Sequence, residues 1–446
     1  NLHNAKGIIK MSQDNTKRIL FADMDPGDRD GLDLVYLVNG STSGIEAAIM
    51  TACKSGSSII MNRGCHQSAY NACILARVKP IFVKEDIDKE NNILMGASSQ
   101  AYIDAIRTNP QASAVFITRP SYYGMSQDID EVVKLAHENK MLVIVDEAHG
   151  AHFGLSHTLP KSAVYSGADL VIQSVHKTLP SLTQTSLMIY RRDRLDTARL
   201  SSVLSMVETS SPSYLMLMSI EICYDIYEKS GLVLMQNLIN NIYRFKRGLK
   251  DYKVFPTSDP SKIFVNTIEK GINGYDFSKV LRHRYNIQVE LANYSGVLFL
   301  TTIANTKSDF DKTLFAMKDI LERKLFGALV DFSEDLNESR KENRVGSIGS
   351  IYRSKPISLD LPVSIPIRGM DLDQAFDADK EDVRIEDSLG RVGGEFVIPY
   401  PPGVAVLAPG EVIDQELIDF LIRAREMNID INGMESHALD KIKVIK

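Results

Sequence analysis

The feature that most constrains this sequence is the alternation of short apolar runs with amphipathic stretches over its first half. Each run holds four to six residues and is rich in Val, Ile and Leu. The runs are Leu34–Val38, Ser58–Asn62, Pro80–Val83, Ala114–Thr118, Met141–Asp146, Leu170–Ser174 and Ser186–Tyr190. Apolar strands that alternate with helices predict an α/β fold, in which a mostly parallel sheet carries helices on both faces.

In a sheet of this kind a ligand binds beyond the carboxyl ends of the strands, so the residues after each strand are candidates for a site. The first strand is followed by NGSTSG at 39–44 and then by a helix. Small and hydroxyl residues at a helix N-terminus expose backbone N–H groups, which suits a phosphate. A plain helix cap made by Ser or Thr is the alternative. His66 follows the second strand and is either structural or functional.

The strongest local signal is the segment VDEAH at 145–149. Asp146 ends an apolar strand, and a buried carboxylate is costly unless a cation pairs with it. Two interpretations follow at this point. Asp146 pairs with a protonated ring nitrogen of a bound cofactor, or it binds a metal ion together with the nearby histidines. Those histidines are His149, His152 and His157.

The next strand distinguishes between these interpretations, because it ends in QSVHKT at 173–178 and places Lys177 in the same cleft. A buried lysine beside a cation site has a lowered pKa and becomes the amine nucleophile that Schiff-base chemistry requires. A metal site gains nothing from a neighbouring ammonium. The phosphate loop, His66, Asp146 and Lys177 together fit pyridoxal phosphate, and we expect no metal.

Eight segments of the chain resemble the fold-type I, pyridoxal-phosphate-dependent decarboxylases of ornithine, lysine and arginine. They are spread over nearly the whole chain and occur in the order of that family. The segments are LVNGSTSG (37–44), NRGCHQS (62–68), VDEAHGAHFG (145–154), QSVHKTLPSLTQ (173–184), ETSSPSY (208–214), IQVELAN (287–293), FLTTIANT (299–306) and YPPGVAVLAPGE (400–411). The short length resembles members without an N-terminal wing domain.

The resemblance implies a role for the residues around the cofactor ring. Lys177 forms the Schiff base with the cofactor and later returns as a proton donor. Asp146 keeps the pyridinium nitrogen protonated, so that the ring remains an electron sink. His66 stacks on one face of the ring, and Ala148 packs beneath it. His149 lies near the phenolic oxygen of the cofactor or the substrate carboxylate.

The resemblance also implies how the phosphate and the subunits are arranged. Ser41 and Thr42 bind the phosphate at their helix N-terminus, and Ser174 and His176 add contacts. Ser211 resembles the stretch that reaches the phosphate of the neighbouring subunit. The protein is therefore expected to be a homodimer with its active site at the interface.

The resemblance further implies four segments: an N-terminal segment (1–30), a cofactor-binding large domain (31–245), a small α/β domain (246–335) and a C-terminal domain with its linker (336–446). After the central sheet, the sequence predicts helices over Tyr214–Glu228, Leu234–Leu249, Asp371–Phe376 and Asp414–Met427. It predicts strands near Ile263–Thr267, Ile287–Leu291 and Val297–Thr302. The stretch over Glu338–Ser350 is predicted to be a polar linker. The chain opens inside the Leu-His segment of the family, so we expect an upstream segment that this sequence does not contain.

The basic side chain of the substrate requires a carboxylate at the far end of the pocket, and Glu395 and Glu290 are the candidates. For either residue, a solvated surface acid is the competing interpretation. Gly393 and Gly394 stand where the family usually has a Ser-Ala-like pair, which predicts an altered pocket near the C-terminal domain. The unusual stretch over Asp25–Gly31 is predicted to be a loop.

The sequence therefore predicts a decarboxylase of a basic amino acid, with arginine favoured over lysine or ornithine because of the short architecture. One alternative is elimination or cyclisation of an arginine-like substrate on the same scaffold, which the altered Gly393-Gly394 pocket motivates. In that case Lys177 is the base that removes the α-proton. A second alternative is a catalytically inactive regulatory or binding paralogue, which the intact Asp146 and Lys177 disfavour.

Composition limits the possible partners and the compartment. A net charge of −6 over 446 residues argues against a nucleic-acid partner. No apolar run is long enough to span a bilayer, so we expect no membrane partner. The four cysteines form no CxxC pair and are too few to crosslink a chain of this length, which indicates a reduced, cytoplasmic compartment.

Overall fold

The structure, a computed structural model, describes residues 2–322, 362, 364–400, 403–427 and 429–446. Its helices are α1 (Ile8–Leu20), α2 (Pro26–Gly31), α3 (Gly40–Ala52), α4 (Gln67–Ala76), α5 (Ser99–Thr108), α6 (Asp130–Glu138), α7 (Val175–Thr178), α8 (Thr197–Val207), α9 (Tyr214–Gly248), α10 (Gly274–Tyr285), α11 (Lys307–Glu322), α12 (Leu372–Asp377) and α13 (Gln415–Glu426). Its strands are β1 (Leu32–Leu37), β2 (Ser58–Asn62), β3 (Lys79–Val83), β4 (Asp86–Asp88), β5 (Ile93–Gly96), β6 (Ala114–Thr118), β7 (Leu142–Asp146), β8 (Leu170–Ser174), β9 (Ser186–Arg191), β10 (Lys253–Val254), β11 (Lys262–Asn266), β12 (Leu291–Ala292), β13 (Gly296–Leu300), β14 (Lys380–Arg384), β15 (Ile398–Pro399), β16 (Ile431–Asn432) and β17 (Lys441–Ile445).

The central sheet has seven strands in the order β1-β9-β8-β7-β6-β2-β3. Strands β8, β7, β6, β2 and β3 pair in parallel, whereas β9 is antiparallel to both of its neighbours. The segment between β8 and β9 holds only the short helix α7 and a turn, too little chain for a parallel crossover. All seven predicted runs are strands of this sheet, so the predicted α/β fold is confirmed.

Both faces of the central sheet are covered. Successive residues of β6 alternate between two apolar clusters: Val115 lies in a cluster with α1, α5, α6 and α9, and Phe116 in a cluster with α3, α4 and α8. Neither side chain is exposed to solvent. Because each strand is apolar on both sides, it appears in the sequence as a continuous apolar run rather than an alternating one.

A second sheet of four strands lies further along the chain, in the order β10-β11-β13-β12, and all its pairs are antiparallel. The predicted helices over 214–228 and 234–249 are a single helix, α9, of 35 residues. The strand predicted at Ile287–Leu291 begins only at Leu291. Asn286 adopts a left-handed conformation that ends α10, and the Ile287 N–H donates to Leu281 O, so this stretch belongs to the helix cap.

The C-terminal part is organised around α13. Leu417, Phe420 and Leu421 of this helix pack in an apolar cluster with Leu407 and Val444. Two small antiparallel ladders, β14 with β17 and β15 with β16, complete it. The predicted linker at 338–350 lies outside the described residues. The four predicted segment boundaries stay a prediction.

The loop predicted over Asp25–Gly31 is wrong, because this stretch contains the short helix α2. The Asp25 side chain accepts the Gly27 N–H at 2.9 Å, and Pro26 occupies the first helical position. Of the helices that the structure describes, none combines the length and the apolar character that crossing a membrane requires.

Candidate active site

A cavity of about 580 Å³ opens at the carboxyl end of the central sheet, a volume typical of small-molecule sites. Its wall includes residues that follow β1, β2, β7 and β8. The predicted site residues that line it are Ser41, Thr42, His66, Asp146, Ala148, His149, Ser174, His176 and Lys177. Ser211, Glu290 and Glu395 are predicted site residues that do not line it.

One end of the cavity is formed by the N-terminus of α3. Asn39 precedes this helix but makes no side-chain hydrogen bond to its first turn, in which the Gly40 N–H donates to Gln184 O at 3.0 Å. The Ser41 hydroxyl lies 2.7 Å from the Ser174 hydroxyl and thereby ties α3 to the end of β8. Thr42 is exposed towards the cavity. A helix N-terminus without a side-chain cap, beside several hydroxyl groups, is suited to a phosphate group.

Asp146 lies at the floor of the cavity and is only 4% exposed. Its Oδ1 accepts the Ala148 N–H at 3.1 Å. Within the described part of the chain, no donor reaches Oδ2, so this oxygen is available to a ligand. A carboxylate with one open oxygen fits a protonated ring nitrogen, and the small side chain of Ala148 leaves space for a flat ring.

His66 is held in one orientation by the helix that it caps. Its Nδ1 accepts the Ser68 N–H at 3.2 Å and also lies 2.8 Å from the Ser68 hydroxyl. The ring therefore carries its proton on Nε2 when it is neutral. Burial lowers the pKa of His66, and Lys177 lowers it further against the opposing effect of Asp146. A neutral, fixed imidazole at this position can stack on an aromatic ligand.

Lys177 lies on α7, directly after β8, and lines the same cavity. Burial lowers the pKa of this lysine, and the carboxylates of Asp146 and Glu290 partly oppose the shift. A lysine with a lowered pKa holds more of its amine in the neutral, nucleophilic form. The four groups that pyridoxal phosphate requires, namely a phosphate cradle, an open carboxylate, an imidazole and an amine, thus meet in one cavity.

A second buried lysine, which the sequence analysis did not identify, lies behind the cavity wall. His149 stands between two amines: Lys177 Nζ is 3.3 Å from its Nε2, and Lys262 Nζ is 2.9 Å from its Nδ1. Burial lowers the pKa of Lys262 to about 8. Burial and the two lysines lower the pKa of His149 well below its usual value. In the sequence, Lys262 stands at the start of an apolar strand, a position where a lysine side chain is usually exposed to solvent. Its burial could therefore not be predicted.

Two carboxylates lie close to the cavity. Glu85, which follows β3 and lines the wall, accepts hydrogen bonds on Oε1 from Asn62 Nδ2 at 2.6 Å and from the Gly64 N–H at 3.1 Å. Burial raises the pKa of Glu85. Glu290 accepts the Tyr122 hydroxyl proton at 2.7 Å, and Tyr122 itself lines the cavity. Glu290 was a predicted site residue, but Glu85 was not, because one acidic residue in a charged stretch cannot be distinguished from its exposed neighbours.

Glu395 does not reach the cavity. Its two oxygens accept the backbone N–H groups of Glu435 and Lys443, at 2.9 and 2.8 Å, so the carboxylate is already paired inside the C-terminal part. This geometry gives no support to a substrate contact from Glu395. Gly393 and Gly394 likewise do not line the cavity, so their departure from the family pattern does not alter its wall.

The remaining predicted residues lie apart from the cavity. Ser211 is exposed in the turn before α9. His152 faces Asp259 at 3.3 Å, and His157 is exposed. Across the described ranges, no three His, Cys, Asp or Glu side chains converge as metal ligands. The C-terminal part adds Tyr400 and Asn432 to the cavity wall; Tyr400 opens the segment YPPGVAVLAPGE, whereas no sequence pattern indicated Asn432.

Solved structures with the same architecture include two lysine decarboxylases. That of Francisella novicida superposes with a TM-score of 0.83 at 18% identity, covering 100% of this chain and 73% of that chain. The constitutive lysine decarboxylase of Escherichia coli also gives a TM-score of 0.83, at 20% identity, with coverage of 100% and 74%. At these identities the likeness shows the fold, which these two decarboxylases share.

Sequence comparison gives the family. An arginine decarboxylase of Bacillus subtilis is 30% identical over 458 residues, which cover 100% of this chain and 87% of the relative. An arginine decarboxylase of Bacillus anthracis is 28% identical, with coverage of 100% and 86%. Residues 1–266 match the family described as Orn/Lys/Arg decarboxylase, major domain, and residues 371–438 match its C-terminal domain. The chain therefore belongs to the Orn/Lys/Arg decarboxylase family.

Proposed function

We propose that this chain removes the α-carboxylate of arginine with pyridoxal phosphate as its cofactor. The chain is a pyridoxal-phosphate-dependent decarboxylase of the basic amino acid type, and the choice of arginine is the proposed part. The meeting of Lys177, Asp146 and His66 in one cavity carries the cofactor chemistry, and the carboxylate of Glu85 in the same wall offers a partner for a cationic substrate. The arginine decarboxylases that match the full length of the chain support the substrate.

When bound, pyridoxal phosphate supplies an aldehyde for an amine and an electron sink for the electron pair that departing CO2 leaves behind. The chain has to bind and orient this group. Asp146 Oδ2 would accept the ring N–H, the first turn of α3 with Ser41 and Thr42 would bind the phosphate, and His66 would cover one face of the ring. Ser174 and His176 lie along the same edge of the cavity.

Lys177 has two tasks in this proposal. As a neutral amine it attaches the cofactor, and burial favours that form by lowering its pKa. With a substrate bound in its place, Lys177 Nζ would be free to hold a proton and to donate it after CO2 has left. His149 Nε2 lies 3.3 Å from Lys177 Nζ, so His149 is the neighbour that would influence whether Nζ is protonated.

The cationic end of the substrate needs an anionic partner inside the cavity. Glu85 lines the wall, and Glu290 lies behind Tyr122 with its charge acting on both Lys177 and Lys262. We propose that the guanidinium group binds on the side of the cavity that holds Glu85, with Glu290 supporting the site through Tyr122. A guanidinium group donates in pairs, which a carboxylate accepts well.

One assay series tests this function. The purified protein should be yellow, should lose the colour on borohydride reduction, and should not become coloured as Lys177→Ala. Incubation with arginine, lysine or ornithine should release CO2 fastest from arginine, with the amine identified by mass spectrometry. A product that keeps its carboxylate but has lost ammonia or water would indicate elimination or cyclisation. A colourless protein that takes up no added cofactor would refute the cofactor assignment.

We also propose that two copies form the active site together, with Ser211 reaching the phosphate of the partner. Ser211 is exposed and directly precedes α9, where large apolar side chains lie exposed on one face. Those side chains are Leu215, Met218 and Ile222, each at least 50% exposed. An exposed apolar stripe of this kind indicates an interface. Light scattering should give the mass of a dimer, and Ser211→Ala should weaken cofactor binding.

A further inference from the structure

Lys262 is a lysine with no solvent exposure that enters the active site from the second sheet. It is the first residue of β11, and its side chain passes beneath the turn at Ser121–Met125. A Cβ atom on Gly124 would lie 2.8 Å from Lys262 Cβ and Cγ. The turn therefore needs glycine at this position, because any larger residue would meet the lysine stem.

The contacts of His149 restrict the protonation of the two amines on either side of it. A neutral imidazole has one N–H and one lone pair, so it donates to one partner and accepts from the other. Lys262 Nζ faces Nδ1 at 2.9 Å, and Lys177 Nζ faces Nε2 at 3.3 Å. Both lysines therefore cannot donate to His149 at once. One lysine donates to His149, and the other accepts from it, which requires a neutral amine because an ammonium group has no lone pair.

The surroundings identify Lys262 as the charged donor. The carboxylates of Asp259 and Glu290 favour its charged form, and its Nζ lies 5.4 Å from the centre of the Tyr122 ring, at cation–π distance. The contact of 2.9 Å has the length of a charge-assisted hydrogen bond, whereas 3.3 Å is long for any hydrogen bond. The proton of His149 therefore lies on Nε2 and points at Lys177.

We propose that Lys262 is a positioning residue of this active site. Its ammonium group donates to His149 Nδ1 and fixes one tautomer, and His149 Nε2–H then donates to Lys177 Nζ and keeps that amine neutral. Lys262 thus acts on the amine that attaches the cofactor without touching cofactor or substrate. The inference rests on the proposed function only in giving Lys177 this task.

The sign of the effect follows from the groups that face the three side chains. Lys177 is faced by Asp146, Glu290 and His66. His149 is faced also by His152 and His176, and Lys262 by Asp259, Glu290 and Tyr122. Replacing Lys262 by Met leaves all these groups in place but removes a positive charge. It also frees His149 to move its proton to Nδ1 and to accept from a Lys177 ammonium. Both changes raise the pKa of Lys177.

The test uses the full-length protein, stripped of cofactor and shown to regain it. Acetic anhydride labels neutral amines, so labelling of Lys177 over a pH series, read by peptide mass spectrometry, gives the pH midpoint of that amine. Lys262→Met should raise the midpoint by about one unit. Lys246→Met is the matched control, because Lys246 also lies within the field of Asp259 but has no contact with His149. An unchanged midpoint in folded Lys262→Met would overturn the proposal.

Two further measurements separate the hydrogen bond from the charge. Lys262→Gln keeps a donor for Nδ1 but removes the charge, so it should raise the midpoint less than Lys262→Met, and an equal rise would contradict the tautomer lock. In the unaltered apoprotein, ¹⁵N shifts of labelled histidine should show His149 protonated on Nε2, and protonation on Nδ1 would refute the proposal. Neither readout needs catalysis, so a failure of this inference can be distinguished from a failure of the decarboxylation assay that tests the proposed function.

Discussion

At the scale of single residues, the site is organised by ionisable groups that act on one another. The carboxylates of Asp146 and Glu290 act on Lys177, and those of Asp259 and Glu290 act on Lys262. Glu85 departs from this arrangement, because no cation in the described part of the chain pairs with it, and only an amide side chain and a backbone N–H contact it. Glu85 is half-buried, so its carboxylate loses part of its hydration without gaining a cation, and a cationic ligand would offset that loss.

Glu85→Gln should therefore separate stability from substrate binding. Burial raises the pKa of Glu85 above its ordinary value of 4.5. A raised pKa contributes stability at pH below 4.5 and loses it as the pH rises and the buried group ionises. The variant, neutral at every pH, should thus equal the wild type in acid and melt at a higher temperature near neutral pH. Its KM for arginine should rise about tenfold, because a charge-assisted hydrogen bond is lost.

Melting curves over a pH series, together with steady-state kinetics, check both effects. Glu138→Gln is the control, since Glu138 is an exposed acid at the end of α6. If Glu85→Gln left KM unchanged while its stability rose, Glu85 would be a buried acid without a substrate role, and the guanidinium would have to bind elsewhere in the cavity.

At the scale of elements, the strands of the central sheet could be predicted because each is apolar on both faces. The charged strand β14 could not, since its sequence KEDVR has no such pattern and its partner β17 lies at the far end of the chain. The residues after β1, β2, β7 and β8 could be assigned to a site from the sequence. Lys262 could not, because β11 belongs to another sheet and its proximity to His149 exists only in the folded chain.

The packing of α10 on the second sheet depends on one residue. A Cβ atom on Gly274, at the start of α10, would lie 2.0 Å from Gly296 O and 2.3 Å from Asn293 O. These are backbone atoms, which cannot rotate away. Gly274→Ala should therefore reduce the free energy of unfolding by about 2–3 kcal/mol, which urea denaturation measures. Gly31→Ala, where nothing lies within 4 Å of the added Cβ, is the control and should change little.

At the scale of the whole molecule, the active site draws on three parts of the chain, two of which line the cavity. The central sheet supplies Asp146 and Lys177, the second sheet supplies Lys262 behind them, and the C-terminal part closes the wall with Tyr400 and Asn432. Asp146 and Lys177 could be assigned to the site from the sequence, because each follows or ends a predicted strand. The contributions of the other two parts depend on contacts between residues far apart in the chain, which no local pattern encodes.

A buried ion pair joins the central sheet to the C-terminal part. Arg63 donates to both carboxylate oxygens of Glu411, at 2.5 and 2.8 Å, and both side chains are less than 10% exposed. The Arg63 guanidinium also packs over the Phe82 ring, 4.8 Å from its centre. Glu411→Gln leaves the guanidinium buried without a counter-charge, which should cost about 3–5 kcal/mol of unfolding free energy. Glu426→Gln, at an exposed acid of α13, should cost almost nothing.

The same pair connects stability to the cofactor. Arg63 begins the short segment that leads to His66, so a displaced guanidinium should disturb the imidazole that covers the ring. Glu411→Gln should therefore also weaken cofactor binding.

The double variant Arg63→Met with Glu411→Leu buries no charge and should regain much of the lost stability. Denaturant titrations of the wild type, Arg63→Met, Glu411→Leu and the double variant close a double-mutant cycle. Additive losses would show that Arg63 and Glu411 do not stabilise the assembly as a pair, and that the C-terminal part is held in place by its other contacts, such as the ion pair of Lys79 with Asp371.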